Sequence, residues 1–155
     1  MGLSAGLMAI VALMHDAMVV FATYIIFKIP LDDGFIAVIL TILGYSINDT
    51  IVIYDRIREN MKSMRKAGIG EIVNKSILQS MSRSINTNVC TFMSMVVVYI
   101  FAVVFNIESV RDFSLPLITG IISGCYSTIF IAGPLWVVWK EYQLKRKAAS
   151  KPAKA

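Results

Sequence analysis

The sequence has few of the residues that usually hold metal ions or form disulfides. Its 155 residues include only two cysteines and one histidine, and Cys90 and Cys125 lack the spacing of metal ligands. Both cysteines lie within apolar runs, so we interpret them as packing residues. The nine methionines are scattered, which is typical of gap-filling side chains and not of a metal path. No metal and no other cofactor is therefore expected.

Charge is also scarce. Charged residues make up 16% of the chain and hydrophobic residues 57%, whereas an ordinary soluble domain is nearer one quarter charged. The apolar residues lie in long runs and the mean hydropathy is +0.70, which is typical of a membrane protein. The net charge of +5 comes from clusters beside these runs. Because no basic segment is interleaved with aromatic residues, nucleic-acid binding is not expected.

Four apolar runs are each long enough to cross a bilayer. They cover about residues 3–27, 35–54, 84–105 and 114–139. A helix of about 20 residues is about 30 Å long, which spans the hydrocarbon core. The first run lacks the basic segment of a signal peptide and is longer than a signal-peptide core, so we interpret it as a retained span. The sequence predicts an all-α membrane protein, a bundle of four transmembrane helices in residues 1–142.

The longest polar stretch is 55–82, between the second and third runs. It is rich in helix formers, is interrupted at Gly68 and Gly70, and has an apolar face in its second half. This pattern predicts a loop of two amphipathic helices at the membrane surface.

The fourth run has its own boundary signals. Ser114 is the predicted N-cap, with Pro116 in the first helical turn. Trp136, Trp139 and Tyr142 are interpreted as an aromatic belt at the membrane interface. The basic tail, 143–155, is expected to be disordered.

The distribution of basic residues predicts the orientation. Six Lys and Arg residues lie between positions 56 and 75, and six more lie between positions 140 and 154. The two short connections hold only Lys28 and Arg111, together with four acidic residues. Loop 55–82 and both chain ends are therefore predicted to be cytoplasmic.

Asp49 is an ionisable residue inside the second span. It shares one helix face with Thr41, Tyr45 and Asn48, and it lies about 9 Å inward from Asp55 along the helix. A carboxylate at such a depth costs about 2.5–3.5 kcal/mol on insertion scales. Its side chain is therefore expected to face other helices or a water-filled path. A low dielectric favours the neutral acid unless a cation is close.

Arg83 could supply that cation. It opens the third span, and Thr87 and Thr91 follow on the same helix face. We predict that Asp49 and Arg83 pair while both are charged, and that their separation lets Asp49 take up a proton, so that protonation and helix movement are coupled. A static ion pair between two helices and an outward-facing anchor role for Arg83 remain alternatives.

The first and last spans contain further candidates. Adjacent helical residues point about 100° apart, so His15 and Asp16 are not expected to face one partner. Asp16 is a candidate for the polar interior and His15 for a bond across helices, either in a proton relay or as a simple helix contact. Gly120, Gly124 and Thr128 repeat every four residues, which favours close helix packing, or alternatively a sliding surface.

Four sequence motifs together resemble a known family. They are "HD" in the first span, "GYSINDTIVIYDRIREN" at 44–60, "SRSINTNVCT" at 82–91 and "GIISGCYST" at 120–128. In this order they are similar to SecF proteins of the SecD/SecF family, which belongs to the resistance–nodulation–division superfamily. The resemblance covers essentially residues 3–142.

The resemblance implies an auxiliary subunit of the bacterial Sec translocase, in the plasma membrane. Such subunits are not enzymes; they use the proton gradient to promote preprotein export after the motor ATPase has acted. The implied partners are a SecD-like protein, the SecY/SecE/SecG-type channel, preproteins and the lipid bilayer. The family's proton-conducting aspartate and arginine match Asp49 and Arg83, and its threonines match Thr87 and Thr91. Ser84 stands where the family commonly has threonine.

One departure and three alternatives accompany the resemblance. Family members have six spans, with an extracytoplasmic domain between the first two, and this sequence matches only the last four, as a C-terminal portion would. A non-conducting scaffold subunit is one alternative, and another exporter of the superfamily, for drugs or lipids, is a second. An intramembrane aspartyl protease using Asp16 and Asp49 is a third. Asp16 and Asp49 are expected at different depths in the membrane, and a neighbouring arginine would keep Asp49 charged. Both points argue against the protease.

Overall fold

The computed structural model describes residues 2–64 and 67–149, and no strand occurs in these ranges. The helices are α1 (Gly2–Phe27), α2 (Asp33–Ser63), α3 (Ile69–Val104), α4 (Glu108–Ser127) and α5 (Gly133–Ala149). A π-helical turn, Thr128–Ala132, joins α4 directly to α5.

The helices form four candidate membrane spans in the described part of the chain. These are Ala5–Phe27, Asp33–Ser63, Ile69–Val104 and the continuous segment Glu108–Gln143. Each is long and apolar enough to cross a bilayer, which confirms the predicted all-α membrane bundle. We call the end that carries the α2–α3 connection the basic end. The end with the turns around 28–32 and 105–107 is the acidic end.

The predicted loop 55–82 is helical, but its helices are continuous with the spans. α2 runs on to Ser63 and α3 begins at Ile69. Between them Met64, Ala67 and Gly68 are non-helical, and residues 65 and 66 lie outside the described residues. Apolar packing explains the continuity, because Ile53 and Ile57 of α2 contact Val73 of α3 in one buried cluster. Gly68 is the N-cap residue of α3, close to the break that was predicted.

The predicted start of the fourth span at Ser114 is wrong. α4 begins at Glu108, and the Ser114 hydroxyl donates to the carbonyl of Val110 at 2.7 Å within the helix. Pro116 consequently lies inside α4. The charged segment before Ser114 contains no helix breaker, so the helix extends further back than the apolar run.

The C-terminal helix also differs from its prediction. Trp136 is fully buried against Ile57 and Val73, so it does not join an interfacial belt, whereas Trp139 and Tyr142 are exposed. α5 continues to Ala149, which makes residues 143–149 helical instead of disordered, and residues 150–155 lie outside the described part. The π-helical turn ends just before Pro134, whose missing N–H cannot make the α-helical bond to Phe130.

Close helix contacts position the polar residues. A Cβ atom at Gly120 would lie 2.5 Å from Ile42 Cδ1 and 3.0 Å from Val20 Cγ2, so glycine lets α4 approach both α1 and α2. A Cβ atom at Gly124 would meet Ser46 at 3.5 Å, an ordinary contact. Thr128 instead forms a hydroxyl–hydroxyl hydrogen bond with Thr50, at 3.3 Å.

Candidate functional site

Asp16 of α1 lies at the centre of a fully buried polar cluster. Its Oδ2 atom accepts hydrogen bonds from Ser46 of α2 at 2.6 Å and from Ser127 of α4 at 2.9 Å. Its Oδ1 atom accepts one from Ser123 of α4 at 2.7 Å. The side chain is 0% exposed. Three hydroxyl donors on one buried acid form a charge-assisted network that joins three helices.

His15 extends this cluster to the surface of the bundle. Its Nδ1 atom lies 3.3 Å from Asp16 Oδ1, and its Nε2 atom lies 2.8 Å from the Tyr126 hydroxyl of α4. Because an ionised carboxylate only accepts, these contacts assign the neutral ring a proton on Nδ1, with Nε2 accepting from Tyr126. His15 and Asp16 therefore contact different residues of α4, and they also contact each other.

Asp49 of α2 faces α3 and accepts one hydrogen bond among the described residues. Its Oδ1 atom accepts from the Ser84 hydroxyl at 2.6 Å. Its Oδ2 atom is buried and has no hydrogen-bond partner among the described residues. A buried carboxylate oxygen without a donor is unfavourable, and the penalty is greatest when the group is ionised.

Further polar contacts extend from Asp49 between the same two helices. The Tyr45 hydroxyl, one turn away on α2, lies 3.1 Å from Asn88 Oδ1 and 3.4 Å from Thr91 Oγ1. Asn88 donates to the carbonyl of Ser84 at 2.7 Å. We call these five residues, Tyr45, Asp49, Ser84, Asn88 and Thr91, the polar seam.

Arg83 does not pair with Asp49 in this structure, so the described conformation is the separated one of the two predicted arrangements, and the pairing itself stays a prediction. Within residues 2–64 and 67–149, no ion pair joins the two side chains, and Arg83 is exposed at the basic end beside Asp55 and Glu59. The reason is the position of Arg83 around the axis of α3. Ser84 points into the α2–α3 contact, and the preceding residue on a helix points about 100° away.

The other predicted site residues divide into two groups. Thr91 contacts the polar seam through Tyr45, and Asp16 lies in its own cluster, which α2 contacts through Ser46. Asn48 and Thr87 are exposed, and within the described ranges neither side chain forms a hydrogen bond with Asp49.

Several polar residues of the site were not predicted as site residues. They are Ser46, Ser123, Ser127, Tyr126 and Asn88, and Ser84 was noted only as a replacement for threonine. The sequence did contain a signal, because Ser76, Ser80, Ser84 and Asn88 recur every fourth residue and all are buried. Small polar residues change hydropathy too little to stand out in an apolar run.

The fold and these clusters define a multi-pass membrane protein with carboxylates held between its spans. Residues 3–142 match the family model "Protein export membrane protein SecD/SecF, C-terminal", so the chain belongs to that family.

Individual relatives agree with this assignment. The chain is 46% identical over 140 residues to the protein translocase subunit SecF of Alicyclobacillus acidocaldarius, covering 88% of this chain and 44% of the relative. It is 41% identical over 144 residues to the subunit SecDF of Bacillus subtilis, covering 91% of this chain and 19% of the relative. A crystal structure of SecDF in a super-membrane-facing form superposes with a TM-score of 0.86 at 36% identity, covering 96% of this chain and 20% of that chain. The chain thus spans less than half the length of each of these relatives.

Proposed function

We propose that this chain is the membrane portion of a SecF-type translocase subunit, and that it uses the proton gradient to promote preprotein export across the bacterial plasma membrane. The names of its relatives support the role in protein translocation. The single observation that carries the coupling to protons is Asp49, whose buried Oδ2 atom has no hydrogen-bond partner in the described part of the chain. In this proposal the chain is not an enzyme and needs no cofactor.

In the proposed mechanism, Asp49 gains or loses a proton as its partner on α3 changes between Ser84 and Arg83. In this proposal Asp49 is protonated while Ser84 is its partner, because protonation removes a buried charge and adds an O–H group. Arg83 precedes Ser84, so a rotation of α3 by about 100° would bring the guanidinium to the place of the hydroxyl. The ionised acid would then be favoured. Protonation state and helix rotation are thereby coupled.

Partners follow from the exposed polar residues. Asn48 and Thr87 are exposed on α2 and α3, where uncovered polar groups would face lipid. A SecD-like protein is the proposed cover for this surface, and the Sec channel and its motor ATPase are proposed as indirect partners. The basic end, with both chain ends, is proposed to be cytoplasmic because basic residues concentrate there.

The test replaces the titrating group and keeps its shape. Asp49→Asn should abolish the stimulation of export by the proton gradient and leave ATP-driven export in place, measured as preprotein uptake into inverted membrane vesicles. Asp33→Asn, the same change at an exposed position of the acidic end, is the matched control and should leave the stimulation intact.

A non-conducting scaffold subunit is the second candidate function. It is favoured by the Asp16 cluster, whose three hydroxyl donors join α1 to α2 and α4. Full gradient stimulation in the Asp49→Asn variant would support this candidate and refute the proton-coupled one.

A further inference from the structure

The α3 face toward α2 carries a ladder of buried polar residues that reaches beyond Asp49 toward the basic end. Ser76, Ser80, Ser84 and Asn88 all lie on this face and all are buried. Four residues at this spacing extend over about 18 Å of helix. The Ser76 hydroxyl donates to the carbonyl of Ile72 at 2.7 Å, and its oxygen accepts from Asn60 Nδ2 at 2.8 Å. The Ser80 hydroxyl donates to the carbonyl of Ser76 at 3.0 Å, so its oxygen can still accept a hydrogen bond.

A charged groove opens beside Ser80 of this ladder. It has a volume of about 300 Å³ and is lined by Val52, Asp55, Arg56, Glu59, Gln79, Ser80 and Arg83. Arg56 donates to Glu59 at 2.6 Å and to Gln79 at 2.9 Å, which joins α2 to α3 across the groove. The charged groups that face it are thus Asp55, Arg56 and Glu59 from α2 and Arg83 from α3. We call this groove the mouth.

The opposite direction from Asp49 is closed by apolar packing. Beyond Tyr45 and Thr91, the α2–α3 contact continues toward the acidic end with Ile42 on one helix and Phe92 and Met95 on the other. These side chains belong to the larger apolar cluster of the bundle. In this conformation, buried polar side chains of α3 lie between Asp49 and the basic end, and apolar side chains lie between Asp49 and the acidic end.

We propose that the α2–α3 contact from the mouth through Ser80 to Ser84 is the route by which Asp49 exchanges protons with the cytoplasm. The proposal rests on the proposed function, in which Asp49 is reversibly protonated. In the release step the O–H bond of the neutral acid breaks, the proton passes to water entering from the mouth, and Asp49 remains as a carboxylate. Ser80 is a positioning residue, which keeps the short segment between the mouth and Ser84 polar.

The first experiment measures water access and does not depend on transport. Ser80→Cys and Ser84→Cys are introduced into a Cys90→Ser, Cys125→Ser background and assembled with the rest of the translocase in inverted vesicles. A charged, membrane-impermeant methanethiosulfonate should modify both thiols. It should modify Ile85→Cys, next to Ser84 on the exposed surface of α3, at least about tenfold more slowly, because thiolates form and react in water. Equal or slower modification at position 80 than at position 85 would overturn the route.

The second experiment blocks the route without touching Asp49. Ser80→Val removes the hydroxyl and adds apolar volume, so gradient-stimulated export should fall several-fold, whereas Ser80→Ala leaves room for water and should keep most of it. Ser94→Val is the matched control, because its hydroxyl also donates to its own helix, to Cys90, but lies on the exposed surface.

The outcomes separate the two proposals. If Asp49→Asn retains full gradient stimulation, the proposed function fails, whatever the thiol reactivities are. If Asp49→Asn loses the stimulation while Ser80→Val keeps it and the thiol at position 80 stays unreactive, only the route fails.

Discussion

Asp16 and Asp49 are both carboxylates inside spanning helices, but they are held in different ways. Asp16 is fully buried and accepts hydrogen bonds from three serine hydroxyls on two other helices. Asp49 is partly buried, accepts one hydrogen bond from Ser84, and keeps one oxygen atom without a partner in the described part of the chain.

The difference indicates two kinds of role. Three serine hydroxyls hold Asp16, so moving α1 would break three hydrogen bonds at once and moving α4 would break two. At Asp49 itself a shift of α3 would break one hydrogen bond among the described residues, the one from Ser84. Asp16 therefore has the properties of a fixed anchor and Asp49 those of a switch, and they lie on the two sides of α2.

The largest expected effect is loss of the anchor. Asp16→Ala would leave three buried hydroxyls without their acceptor, and we expect it to reduce the free energy of unfolding by about 2–5 kcal/mol. The measurement is reversible unfolding in bilayer nanodiscs. Asp49→Ala should cost about 1 kcal/mol, since only one hydroxyl loses its acceptor. Equal costs for the two variants would contradict the distinction between anchor and switch.

The next effect concerns the packing that holds the anchor together. Gly120→Ala places a methyl group against Ile42 and Val20, and we expect a loss of about 1–3 kcal/mol in the free energy of unfolding. Gly124→Ala is the control, because its Cβ meets Ser46 at 3.5 Å and should be tolerated. Greater destabilisation by Gly124→Ala than by Gly120→Ala would contradict the prediction that the close contact at Gly120 limits packing.

A smaller effect compares single donors on the two sides of α2. Ser84→Ala removes the only hydroxyl bonded to Asp49, whereas Ser46→Ala removes one of three bonded to Asp16. We expect losses of about 1–2 kcal/mol and about 0.6 kcal/mol respectively in the same unfolding measurement. Double-mutant cycles with the paired aspartate separate each hydrogen bond from side effects. A larger loss for Ser46→Ala than for Ser84→Ala would contradict the distinction drawn between Asp16 and Asp49.

The smallest effect on stability is expected at the exposed polar surface. Asn48→Ala should change the free energy of unfolding of the chain by less than about 0.5 kcal/mol, because the side chain is exposed. The same variant should weaken recovery of a SecD-like protein in affinity purification of the complex. Undiminished recovery would argue against a partner on this surface.

The spans were predictable and their exact partners were not. Asp49 and Thr91 could be placed in the α2–α3 contact because an acid in an apolar run must face other helices. The orientation of Arg83 could not be predicted, since it depends on whether Arg83 or Ser84 points at α2. Trp136 was misplaced for a similar reason, because interfacial and buried tryptophans have the same sequence context when a helix continues past the membrane.

By itself the sequence determined that this chain forms four spanning helices, which end carries the basic residues, and that acids lie within the spans. Hydropathy summed over about 20 residues is sufficient for that, because a bilayer demands continuous apolar helices. Only the tertiary structure decided that Asp16 collects three serines and that Asp49 has one. Apolar residues lie on the buried and on the lipid-facing sides of these helices, so hydropathy does not determine the rotation of each helix about its axis. Packing between helices has to set that rotation.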